Sequence, residues 1–128
     1  MNKIVVDMQN FLFGDSVAAA FKNSDYDDIA VVRAESPKDT VELCHVYKPF
    51  VLVMEVTGYT PWMLCERLKL RDEVKAVCPE CKIALIVDSN TEKQAAKDVR
   101  DAKKNGLIDQ FFYSSMTAEY LMDQIYAM

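Results

Sequence analysis

Two acids close apolar runs in this sequence: Asp7 follows Ile4-Val5-Val6, and Glu55 ends Val51-Leu52-Val53-Met54. Carboxylates brought together at the ends of neighbouring strands titrate as a coupled pair rather than as independent groups. Asp7 and Glu55 are expected to face one another across adjacent central strands, with Asp88, after Ile83 to Val87, as a third acid. The second group with chemistry of its own is Cys78-Pro79-Glu80-Cys81. A C-x-x-C pair can cycle to a disulfide or supply half of a zinc site. Here it joins the end of a helical pattern to a strand, whereas redox-active pairs gain acidity at a helix N-terminus. The only histidine, His45, lies in a different segment. The expectation is a plain helix-to-strand turn, with a redox or zinc switch at Cys78 and Cys81 as the alternative. Cys44 and Cys65 fall in helix-like patterns, where free cysteine acts as a small hydrophobe.

The elements that must position these residues are legible from periodicity. Short β-branched runs alternate with longer amphipathic stretches: Ile4-Val5-Val6 and Leu12 to Phe21; Ile29 to Val32 and Pro37 to Val46; Val51 to Met54 and Pro61 to Val77; Ile83 to Val87 and Thr91 to Lys104; Phe111-Phe112-Tyr113 and Ala118 to Tyr126. Five such units with continuously apolar central strands indicate a parallel sheet covered by helices on both faces. Ligands of open parallel sheets bind outside the carboxyl ends of the strands, which is where Asp7, Glu55 and Asp88 fall.

Ser36-Pro37 and Thr60-Pro61 each place a hydroxyl residue before a proline, the pattern of an N-cap followed by the first helical position. The fourth helix opens near Ser89-Asn90-Thr91-Glu92 and stops at Lys103-Lys104-Asn105-Gly106. Its inward stripe of Ala95, Ala96, Val99 and Ala102 buries little area at about 25 cal/mol per Å², so weak docking and mobility are expected there.

At 128 residues and 51% apolar composition, one ordinary domain spanning residues 1–128 can bury a core without staples. The net charge of −5 opposes attraction to nucleic acid or to anionic membrane surfaces. No run approaches the roughly 18 apolar residues of a membrane span, and the start runs directly into a strand pattern, so a cytoplasmic protein is expected.

Five βα units, an acid after strand one, an acid after strand three and a last helix following Tyr113-Ser114-Ser115-Met116-Thr117 together resemble the receiver domain of bacterial two-component response regulators over nearly the whole chain. Lys48-Pro49-Phe50-Val51-Leu52-Val53-Met54-Glu55 is similar to the family's proline-led third strand, and Asn10 to Val17 looks like the start of its first helix. The resemblance implies a flavodoxin-like (βα)5 fold with strand order 2-1-3-4-5.

It also implies a phospho-accepting aspartate where Glu55 stands, and a pair of acids where only Asp7 is acidic, beside Met8 or Val6. The family's hydroxyl position falls on or near Val87 and its lysine position on Ser114, or on Ser115 if the register shifts by one, and with Phe111 these read as degenerate switch positions. Phosphoryl transfer is mostly positioning plus charge neutralisation by Mg²⁺ and a cation. With those depleted, the expectation is a pseudo-receiver that is not phosphorylated, has no catalytic residues and no required cofactor, and signals by protein contact.

Weak Mg²⁺ binding by Asp7, Glu55 and the Thr57 carbonyl is the residual metal expectation. The alternative is a receiver still switched by a divalent metal, an anion or a proton at Asp7 and Glu55. Glu55 itself has two readings, a built-in mimic of a phosphorylated acid and a vestigial strand-end carboxylate, of which the second is simpler. The family's output surface, formed by the fourth helix, fifth strand and fifth helix, implies a protein partner or a self-dimer there. In this chain that region holds Lys93, Lys97, Arg100, Lys103, Lys104 and the aromatics Phe111, Phe112, Tyr113, Tyr120 and Tyr126. The family also leaves room for an output domain after Met128, in transcription regulation for instance. Tyr59 and Trp62, which flank the Thr60-Pro61 step, are expected to pack in the core, with a pocket cap or an interface as the other reading.

Overall fold

Val51 to Met54 are fully buried, the signature of a strand covered on both faces, and this segment forms the middle of the sheet. The computed structural model describes residues 2–128. Its elements run β1 (Asn2–Asp7), α1 (Phe11–Lys22), β2 (Ile29–Arg33), α2 (Pro37–Tyr47), β3 (Val51–Val56), α3 (Leu64–Val77), β4 (Lys82–Val87), α4 (Lys93–Lys104), β5 (Gln110–Tyr113) and α5 (Ala118–Tyr126). All strand pairs are parallel and the order is β2-β1-β3-β4-β5, the flavodoxin-like arrangement expected.

Alternation along each strand splits the core into two layers. Ile4, Val6 and Met8 join Val51, Val53, Ala84, Ile86 and Phe112 beneath α1 and α5, through Val17, Phe21, Leu121 and Ile125. Val5 joins Leu52, Met54, Val56, Ile83, Leu85 and Val87 on the other face, beneath α2, α3 and α4. Burial of α4 rests on Ala96, Val99 and Ala102, the thin stripe read from the sequence.

One helix start differs from expectation. The Ser36–Pro37 start holds, with Pro37 as the first residue of α2, but Pro61 does not open α3. The Thr60–Pro61 peptide is cis, and Tyr59 to Trp62 form a turn in which Trp62 N–H donates to the Tyr59 carbonyl. A second bond, from Thr57 N–H to the Trp62 carbonyl at 2.9 Å, closes the loop back onto β3. The helix begins three residues later, where Glu66 Oε1 accepts the Met63 N–H that would otherwise have no helical partner. Tyr59 is consequently 70% exposed and Trp62 only half-buried, so this pair does not pack in the core.

Candidate functional site

The carboxyl end of the sheet is where a βα fold presents its chemistry, and the register decides which side chains meet there. In the β1–β3 ladder Asp7 pairs with Met54, not with Glu55. Because neighbouring positions along a strand point to opposite faces, this one-residue offset separates the two acids. Asp7 lies on the α2/α3 side and Glu55 on the α1 side, so the expected Asp7–Glu55 acidic pocket is not assembled. Extending the same register sets Met8 opposite Glu55, and Met8 is buried in the layer beneath α1.

Asp7 is 1% exposed and its carboxylate is fully engaged. Arg67, on α3 and 0% exposed, donates from Nη1 to Asp7 Oδ2 at 2.7 Å and from Nη2 to Oδ1 at 3.2 Å. Its Nη2 also reaches the Asp7 carbonyl at 3.1 Å, and its Nε donates to the Glu55 carbonyl at 2.8 Å. Thr40 Oγ1, on α2, adds a bond to Asp7 Oδ2 at 2.6 Å. One guanidinium therefore ties the ends of β1 and β3 together from below the sheet, using the planar fork that lysine lacks. Both oxygens of the Asp7 carboxylate, expected from the sequence to bind Mg²⁺ weakly, face protein donors.

Glu55 has a structural partner of its own. Its Oε1 accepts the backbone N–H of Asn10 at 2.8 Å, while Asn10 Oδ1 caps α1 by accepting Phe13 N–H at 3.1 Å. An anion at this position also meets the positive end of the α1 dipole. The Thr57 hydroxyl is turned inward on its own loop, bonding with Tyr59 N and O.

The remaining switch positions divide between the two faces. Val87 is fully buried in the α2/α3/α4 layer, so it does not line a pocket around Glu55. By alternation Ile86, which pairs with Glu55, and Asp88, just past the end of β4, fall on the Glu55 side, and Asp88 Oδ1 accepts the N–H groups of Asn90 and Thr91 at 2.9 and 3.2 Å. Those two backbone bonds hold the Asp88 carboxyl below its usual range. Ser114 follows Phe112 by two residues and falls on the same side, and its N–H bonds the Val87 carbonyl. Phe111 lies on the opposite face, packed edge-on against Tyr113 at 5.7 Å.

The carboxyl-end rim thus carries Glu55, Asp88 and Ser114 on one side, with Met8 where a second metal-directed acid would stand. Among the described residues no cluster of three or more His, Cys, Asp or Glu side chains is arranged to hold a metal ion.

The cysteines are all free, with Cys44, Cys78 and Cys81 buried and Cys65 exposed. A hydrogen bond to Cys44 together with burial pushes the Cys81 thiol well above its ordinary range, and burial chiefly raises Cys78 as well. These are protonated thiols packed in a core layer at neutral pH, the opposite of the acidity a redox pair requires. Among the described residues no helix is long and apolar enough to cross a membrane.

Arg67 is the residue that sequence reasoning missed. Its signal was there to be found: Leu64, Arg67, Arg71 and Val74 recur at three- and four-residue spacing, which places Arg67 on the inward stripe of α3. A buried strand acid needs a cation, and this was the available one.

No protein-family model matches this chain, and no curated protein matches it in sequence. Solved structures do match in shape. A CheY-like response regulator receiver domain protein from Methanospirillum hungatei JF-1 aligns over 99% of this chain and 92% of that one, at TM-score 0.74 and 12% identity. A response regulator from Thermotoga maritima aligns over 99% and 97%, at TM-score 0.73 and 15% identity. The pilus assembly protein CpaE from Caulobacter crescentus CB15 aligns over 98% and 91%, at TM-score 0.66 and 13% identity. At these identities the likeness establishes the fold: this chain has the five-stranded architecture of CheY-like receiver domains.

Proposed function

We propose that this protein is a receiver-like signalling module that acts by protein contact, is not phosphorylated and is not an enzyme. The observation that carries this reading is the fate of the two strand-end acids. Phosphoryl transfer to a carboxylate needs divalent metal held beside the acceptor and a cation to offset the transferred charge. Asp7 instead spends its charge on Arg67 and Thr40 across the sheet from Glu55, and Glu55 anchors the first turn of α1. Glu55 acts as a tie between β3 and α1, which favours the structural reading over a phosphate mimic.

The contact surface of this reading includes α4, β5 and α5. On that side Tyr120 is half exposed, and the basic side chains of α4 reach solvent beside Arg100, which donates to the Tyr113 hydroxyl at 3.2 Å. Phe112 is buried and Tyr126 stacks on Tyr26 at 3.9 Å, so charge contributes more than aromatic area to this face.

The test is incubation with Mg²⁺ and a small phosphodonor, followed by intact mass measurement, alongside amide NMR spectra recorded with Mg²⁺ and beryllofluoride. The expected result is an unchanged mass and unmoved amides of Asp7, Glu55 and Asp88. A stable phosphoryl adduct on Glu55, or saturable shifts at these residues, would overturn the reading.

A further inference from the structure

We propose that the groove between α3 and α4 is a docking site for an amphipathic helix from another protein, one that carries lysine or arginine beside its apolar stripe. This deepens the reading of a contact module and rests on it. The groove follows from the thinness of α4: a stripe of alanines and one valine packs down onto the sheet, with side chains too short to fill the space between α4 and α3. Leu64 and Leu68, one turn apart on α3, are left half-buried, and Ala95 on α4 adds a third apolar wall. The space between them measures about 400 Å³ and opens to solvent past the exposed Met63 and Cys65.

Charge selects the occupant. Among the residues lining this groove, Glu92 and Asp98 are acidic and none is basic, although α4 carries five lysines and arginines elsewhere on its surface. Glu92 lies against Gly58, so closely that a Cβ built there would meet its Oε2 at 2.8 Å. This half-buried carboxylate makes no hydrogen bond or ion pair with a side-chain donor among the described residues. Asp98 has one donor, the Gln94 amide at 2.9 Å. Two acids at the rim of an apolar trough answer a cationic amphipathic segment, and a helix laid between two helices presents its apolar residues at three- and four-residue spacing to both.

A second copy of this chain does not supply that segment. Among the described residues its exposed large apolar side chains form no stripe flanked by bases: Phe11 with Leu12 and Val46 with Tyr47 are adjacent pairs at helix ends, and Tyr59, Met63, Leu107, Tyr120 and Tyr126 lie apart from one another along the chain.

The test uses the full chain, ¹⁵N-labelled, with a synthetic leucine/lysine peptide whose leucines follow helical spacing. Controls are a peptide of the same composition with its leucines scattered and a leucine/glutamate peptide of the same spacing. The expected result is saturable movement of the Leu64, Cys65, Leu68 and Ala95 amides, together with slowed alkylation of Cys65 by iodoacetamide. Neither control peptide should reproduce it. Glu92→Gln combined with Asp98→Asn, near-isosteric changes whose folding the same spectra check, should weaken binding about tenfold, or 1.4 kcal/mol.

Four results would overturn the proposal: equal binding of the scattered peptide, unchanged affinity in the double variant, movement confined to another surface, or groove amides that shift with protein concentration alone, which would mark a second copy as the occupant. None of them disturbs the response of Glu55 to Mg²⁺ and phosphodonor, so failure here is distinguishable from failure of the contact-module reading.

Discussion

Replacing Arg67 by methionine should be among the most destabilising single changes in this protein. The guanidinium is 0% exposed and serves three acceptor groups: the Asp7 carboxylate, the Asp7 carbonyl and the Glu55 carbonyl. Its removal strands a carboxylate whose side chain is 2% exposed, and breaking a buried pair from one side costs about 3–5 kcal/mol. Against a typical total of roughly 5–15 kcal/mol, that loss brings the chain close to unfolding.

Removing both charges is a different experiment. Asp7→Leu in the Arg67→Met background eliminates the stranded carboxylate, and replacing a buried pair by apolar residues is often neutral. The two orphaned carbonyls and the buried Thr40 hydroxyl, which loses its acceptor, then remain, so the double variant should recover about 1 kcal/mol or more relative to Arg67→Met. Arg67→Lys should fall between wild type and Arg67→Met, because one ammonium cannot reach three acceptor groups held in the plane of a fork. The assay is urea unfolding followed by circular dichroism, with the slope checked for constancy so that midpoint shifts report stability. An Arg67→Met variant less than about 1 kcal/mol below wild type would refute the reasoning, since a surface-like pair has that value. A double variant no better than Arg67→Met would refute it too, by showing that the cost was packing and not stranded charge.

Glu55→Ala should cost about 1 kcal/mol by removing the acceptor of the Asn10 N–H at the start of α1, and Glu55→Asp should recover little because it is one methylene short of that N–H. Urea midpoints together with amide exchange of Asn10 to Phe13 check both. For the thiols, the native pKa of Cys81 and Cys78 lies above the unfolded value of about 8.5. The unfolded state therefore binds fewer protons above that pH, so the stability these groups contribute is intact below about pH 8.5 and declines as pH rises further. Cys81→Val should flatten that decline in urea midpoints measured across alkaline pH. A thiol reagent should titrate one cysteine, Cys65, in the native protein and all four in urea. Finally, the thin stripe of α4 predicts that its amides exchange with solvent well before those of β3 and β4, which hydrogen-exchange mass spectrometry reads directly.

The strands and most helices were legible because each rests on a local signal: β-branched runs for the sheet, Ser36-Pro37 for the start of α2, and Lys-Lys-Asn-Gly for the end of α4. The parting of Asp7 from Glu55 was not legible, because it depends on the stagger between two strands. Nothing within either strand distinguishes a pairing of Asp7 with Met54 from one with Glu55, and a slip of one residue reverses every face. Thr60-Pro61 misled for a related reason. A hydroxyl before proline fits a turn as well as an N-cap, and the Thr57–Trp62 backbone bond that decides for the turn closes across five positions. Arg67 stands among seven charged residues of α3, and only its place on the stripe separates the buried one from the solvated ones.

The two strand-end acids make one argument when taken together. A carboxylate buried as deeply as Asp7 must be neutralised or paired, and a divalent ion at the rim would be one way to do so. Arg67 does it from inside the fold, permanently and without solvent access, so no electrostatic demand for metal remains on that acid. The extra methylene of Glu55 has a matching consequence, since it carries the second carboxylate to the α1 N-terminus. Both acids have become ties, Asp7 joining β1 to α2 and α3, and Glu55 joining β3 to α1. A rim fastened at these points does not present a small ligand with two free carboxylates to rearrange. On the proposed reading, the information this domain carries must therefore pass through what docks on its helices, and the groove between α3 and α4, walled by Leu64, Leu68 and Ala95, is where docking has apolar area to gain.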